Sequence, residues 1–134
     1  MPHTKPTLTC EATDGILVVT VAARELTTID AVARFERELR DASGAHGETR
    51  WLIDFGDATF FITPALKSLL AITRKLRAHG GELVLTGISP DVRYILGLMR
   101  LDALLHLCAS VDVGLAALRS EAREVYRADA AGAN

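Results

Sequence analysis

The sequence predicts an α/β domain: a four- or five-stranded mixed sheet, helices packed mainly on one face, and an antiparallel hairpin at the N-terminus. Three observations carry this. Short apolar runs rich in β-branched residues, "ILVVTVA", "RWLIDF" and "ELVLTGI", read as buried strands. Amphipathic helical segments alternate with them, and that alternation requires parallel crossovers of one hand. The glycines at 44, 47, 56, 80, 81 and 87 fall in the turns between elements.

Leu8, Cys10 and Ala12 alternate with polar residues, and Thr13-Asp14-Gly15 then turns the chain into Ile16–Ala22. In the next segment Val32, Phe35, Leu39 and Ala42 share one helical face, while Arg34, Glu36, Arg37, Glu38 and Arg40 lie mostly on the other. "SGAHGE" is expected to end that helix. Arg50–Phe55 is the next strand. A second helix is expected near Pro64, with Thr63 as its N-cap and Leu66, Leu69, Leu70, Thr73 and Leu76 as its core stripe. Arg74, Lys75, Arg77 and His79 suit the negative end of its dipole, and Gly80-Gly81 stops it.

After the strand Glu82–Ile88, Ser89-Pro90-Asp91 opens a short helix lined by Val92, Ile95, Leu96 and Met99. "LDALLHLCAS" reads as a helical turn followed by a short strand around His106–Ala109. Ser110 and Asp112 cap a last helix whose face is Leu115, Leu118, Ala122 and Val125, slightly weakened by Gly114. One domain over 8–126 is expected, between an N-terminal tail at 1–7 and a flexible tail at 127–134.

At 134 residues the chain is long enough for an ordinary core. A net charge of −2, with no basic stripe interleaved with aromatics, argues against nucleic acid. The start "MPHTKPTLT" has no apolar signal region, and no run approaches the roughly 20 residues of a membrane span, so a cytoplasmic protein is expected. Cys10 and Cys108 read as thiols of a reducing compartment.

Catalytic readings find little support. No phosphate-binding glycine loop, no nucleophile elbow and no metal-ligand spacing among His3, His46, His79 and His106 is present, so neither cofactor nor metal is expected. Asp54 and Asp57 are the remaining carboxylates, and aspartates in turns usually accept loop amides. Thr63 has two readings. Its hydroxyl either caps the helix or accepts a phosphate, which would sit at the positive end of a helix beside Phe60, Phe61 and Ile62.

The chain resembles the STAS domain over roughly Leu8 to Leu118, most tellingly from Trp51 to Leu118; this is the family of bacterial anti-sigma-factor antagonists and of sulphate-transporter C-terminal domains. Gly80-Gly81, "LVLTGISPDV", Leu101-Asp102 and "SVDVGLAAL" carry the resemblance. Against the family's D-S-[ST]-G-L segment this chain has Ile62-Thr63-Pro64-Ala65-Leu66: the acceptor hydroxyl is kept, but the preceding acid and the glycine are not. In the family's second acidic loop, Thr27 stands where an acid is usual, with Asp30 nearby. The resemblance implies a non-catalytic regulator that binds an anti-sigma factor with a serine/threonine kinase fold. It implies Thr63 as phosphoacceptor, with Phe60, Phe61, Ile62, Pro64 and Lys67 at the contact surface and Thr27 and Thr28 on the adjoining loop. Other roles for such a domain are a permanent subunit of a stress-sensing or lipid-transport complex, a homodimer, or a small-ligand binder at the Asp54–Thr63 cleft.

Overall fold

The computed structural model describes residues 6–22, 25–26, 28–56, 59–60, 62–101 and 103–119, with backbone alone at 25–26, 59–60 and 62–65. The elements are β1 (Leu8–Thr13), β2 (Ile16–Val21), β3 (Glu25–Leu26), α1 (Ile29–Ala45), β4 (Arg50–Asp54) and β5 (Thr59–Phe60). They continue as α2 (Ile62–Ala78), β6 (Glu82–Thr86), α3 (Pro90–Leu98) and β7 (His106–Leu107). A fourth helix, α4, covers 111–119.

Five strands form one mixed sheet in the order β1-β2-β4-β6-β7. The hairpin β1–β2 is antiparallel and the remaining pairs are parallel. Register explains why the strands read as unbroken apolar runs. Leu17–Trp51–Leu83 and Val19–Ile53–Leu85 form rows on one face, and Val18–Leu52–Val84 forms a row on the other. Both faces are covered, so residues of both parities must be apolar.

The larger core lies under α1, α2 and α3. Val32, Phe35, Leu39 and Ala42 meet Leu66, Leu69, Ile72 and Leu76 there, with Val92 and Leu96 beside them. Phe35 and Phe55 pack at a ring separation of 6.2 Å. On the opposite face α4 lays Leu115 and Leu118 over Ile16, Leu52, Val84 and Cys108. The expected α/β sheet with helices mainly on one face is therefore the observed one.

Four local readings are corrected. Helix α1 runs through Ser43 and Gly44 to Ala45 and closes with the His46 amide on the Ala42 carbonyl, so the loop begins later than "SGAHGE" suggested. Helix α2 opens at Ile62, so Thr63 lies in its first turn and not in the flanking cap position. Ile95 and Met99 of α3 are 38% and 47% exposed and do not line the core. Gly114 is a packing device: a Cβ there would stand 2.7 Å from Leu52 Cδ1, so its absence lets α4 approach the sheet. Ala122 and Val125 lie outside the described residues.

Ser89 behaves as read. Its Oγ accepts the Val92 amide at 3.3 Å ahead of Pro90. Ser89→Ala is expected to lower stability by about 1 kcal/mol, read as a fall in the urea midpoint at unchanged slope.

The N-terminal segment is anchored by one carboxylate. Glu38 Oε1 accepts from the amides of Thr7 and Leu8 and from the Thr7 hydroxyl. Cys10 on β1 and Cys108 beyond β7 lie at opposite edges of the five-stranded sheet. Four strand spacings amount to about 19 Å, well beyond the roughly 7 Å reach of a disulfide.

Burial, and after it the charge of Glu38, pushes the Cys10 thiol above its ordinary value. The folded state thus favours the neutral thiol. That contribution is complete below the unfolded value and is lost as pH rises through the folded one. Alkylation of Cys10 in the native protein is expected to rise at higher pH than in the urea-unfolded chain. Coincident pH profiles would remove the effect.

Candidate functional site

Strands β2, β4 and β6 run parallel, so their carboxyl ends share one edge of the sheet, and α1, α2 and α3 begin there. In α/β sheets this edge is where loops and helix N-termini converge. A small second sheet organises it. β3 pairs in parallel with β5, with Glu25 opposite Thr59 and Leu26 opposite Phe60. This pairing joins the loop before α1 to the loop before α2. It sets Leu26, two residues before Thr28, opposite Phe60, two residues before α2, bringing together the two stretches that the sequence singled out separately.

On the first stretch, Thr28 caps α1. Its Oγ1 accepts the Ala31 amide at 3.0 Å, and its carbonyl accepts the Val32 amide. Asp30 is exposed in the first turn, where an acid suits the helix dipole. Ile29, one residue after the cap, is 85% exposed. Sequence reasoning did not select it, although it falls off the Val32–Phe35–Leu39–Ala42 stripe, and that offset is the signal that would have marked it. Thr27 lies outside the described residues.

On the second stretch, Phe60 ends β5, and Ile62, Thr63 and Pro64 are the first three residues of α2. Phe61 lies outside the described residues. Pro64 is tolerated there because first-turn amides have no partner within the helix. Lys67 is exposed, one turn beyond Thr63. It opens a shallow groove of about 260 Å³ between α1 and α2, with Glu36 and Arg40 opposite, Ser68 beside it, and Leu39 and Ile72 at its base.

The floor of the edge is rigid. Asp54 Oδ1 accepts the Gly56 amide at 2.9 Å, and the Phe55 amide donates to the Thr86 carbonyl. Gly87, at φ +70, closes against this loop: a Cβ there would lie 2.4 Å from the Gly56 nitrogen and 2.5 Å from Asp54 Oδ1. Asp54 thus holds a turn, as its position at the end of the strand suggested. Asp57 lies outside the described residues.

Comparison with known proteins adds to this geometry. A sequence profile of the STAS domain matches residues 7–114. An anti-sigma factor antagonist from Mycobacterium paratuberculosis superposes with a TM-score of 0.68 at 30% identity, over 84% of this chain and 93% of that one. A serine-to-glutamate variant of RsbS from Moorella thermoacetica gives 0.68 at 26% identity, over 87% and 97%. The phosphorylated form of SpoIIAA, a cell fate determinant of Bacillus, gives 0.58 at 20% identity, over 78% and 94%. No curated protein matches the chain. No helix among the described residues is long and apolar enough to cross a membrane.

Proposed function

Because the chain belongs to the STAS-domain family, we propose that it is a non-catalytic cytoplasmic regulator. Its partner is an anti-sigma factor with a serine/threonine kinase fold, held in the unphosphorylated state and released once Thr63 carries a phosphate. The contact surface comprises Phe60, Phe61, Ile62, Pro64 and Lys67 with Thr27 and Thr28, and Ile29 extends it. The observation that supports this most is the β3–β5 pairing, which ties the chain before α1 to the chain before α2.

Phosphorylation moves the γ-phosphoryl group of ATP to the Thr63 hydroxyl. ADP leaves, and the hydroxyl proton passes to a base on the kinase. The product adds nearly two negative charges in the first turn of a 17-residue helix. Negative charge there is favourable by about 0.3–1 kcal/mol. The fold therefore tolerates the modification, and its cost falls on the interface, where an apolar rim becomes charged.

A second reading has one specific observation behind it. Ile62, Pro64 and Ala65 stand where the family has an acid, a hydroxyl and a glycine. In that reading the same surface is a permanent interface of a larger assembly, and Thr63 is never modified. Incubation with ATP and the kinase that co-purifies from the host separates the two. Phosphate on Thr63, absent from Thr63→Ala, supports the switch. A stable complex with no phosphate on any protein supports the assembly.

A further inference from the structure

Helix α3 carries a second surface, on a different element from the Thr63 loop. Val92 and Leu96 face the core, yet the opposite side is also apolar: Tyr94 is 69% exposed, Leu98 66%, Met99 47% and Ile95 38%. Leu104, in the turn that follows, is 48% exposed. Among the described residues, five of the seven exposed large hydrophobics therefore lie between positions 94 and 104, the others being Ile29 and Val113. Tyr94 and Leu98, and Ile95 and Met99, are four residues apart, so they form one continuous stripe. A helix that is apolar on both sides is normally covered on both.

The charges on α3 select what covers it. Asp91 stands exposed in the first turn, at the upper end of the stripe. Arg100, exposed and left-handed at φ 58, stands just past the lower end. Among the described residues neither side chain has an ion-pair partner. An apolar stripe with an acid at one end and a base at the other is complementary to its own antiparallel copy. About a two-fold axis level with Ile95 and Leu96, Asp91 of each copy meets Arg100 of the other, and the helix dipoles oppose.

We propose that this face is a homodimer interface, in which α3 packs antiparallel on α3 of a second copy. Tyr, Met and Arg are residues that interfaces favour over ordinary surface. The arrangement is independent of the Thr63 surface, so the failure of either proposal leaves the other standing.

Sedimentation equilibrium of the full chain, from micromolar to millimolar concentration, tests it with Asp91→Arg and Arg100→Asp. Aspartate is among the residues best suited to the positive φ at position 100. The wild type is expected to dimerise. Each variant alone should associate at least ten-fold more weakly, because like charges then meet twice. An equimolar mixture should recover a one-to-one pair, since one variant then carries a base at both ends of its stripe and the other an acid at both ends. Leu98→Glu, at an exposed position, should abolish association, and it keeps the test open if a charge variant fails to fold. A wild type that is monomeric throughout overturns the proposal and leaves the stripe to a different protein. Charge variants that dimerise like the wild type, or a mixture that does not recover the pair, overturn it equally.

Discussion

Gly81→Ala is expected to lower stability by about 3 kcal/mol or more. The reason is space. A Cβ at position 81 would stand 1.8 Å from the carbonyl oxygen of Thr49 and 2.5 Å from its carbon, and these are backbone atoms that cannot rotate away. The same carbonyl accepts the Glu82 amide at 3.0 Å, where β6 begins alongside β4. Relief therefore requires β6 to move away from the centre of the sheet, which weakens both cores at once.

Gly80→Ala is the natural control. Position 80 has φ +78 but no atom within 4 Å of its Cβ, so it pays only the left-handed conformation, about 1–2 kcal/mol. Urea midpoints of the two variants separate space from conformation. Equal losses would show that the close approach of Gly81 to Thr49 is not what the fold depends on.

Thr63→Glu is the second large effect, and it concerns binding. Substitution in the first turn of α2 places a carboxylate where the helix dipole favours it, so the thermal midpoint should change little. Affinity for the proposed kinase-fold partner should fall at least ten-fold, about 1.4 kcal/mol or more. Thr63→Ala should bind as the wild type does. It should also lack the roughly 1 kcal/mol penalty expected of a lost N-cap, because Ile62 already lies within the helix. Isothermal titration and melting on the same preparations read both quantities. A Thr63→Glu protein that binds at full strength removes the charge-repulsion account.

The main architecture was legible because its signals are periodic. The hairpin around Asp14-Gly15, the α1 stripe Val32–Phe35–Leu39–Ala42 and the Ser89-Pro90 cap all emerged as read. What escaped has no period. β3 and β5 are two residues each, and their pairing depends on chain segments 34 positions apart, as Glu25 and Thr59 are. The start of α2 differs from expectation because proline favours the first helical position, yet it is tolerated throughout the first turn. Ile95 and Met99 follow helical spacing like their buried neighbours, and only the packing of α3 decides which side is covered. At Gly114 propensity and packing pull in opposite directions, and the proximity of Leu52 decides for glycine.

The candidate site was half legible. Thr63 stood out from spacing and resemblance, and Lys67 and Thr28 from resemblance alone. The union of their loops needed the small sheet, and Ile29 needed its exposure to be noticed.

The most direct measurement is the fate of the reconstituted complex on addition of ATP. The chain is first bound to the proposed anti-sigma kinase partner, and complex size and intact mass are followed together. The expected result is one phosphate on Thr63 accompanied by dissociation, with the Thr63→Ala complex intact under the same conditions. A complex that persists with Thr63 unmodified, or that takes up phosphate at Thr63 and stays assembled, would contradict the switch.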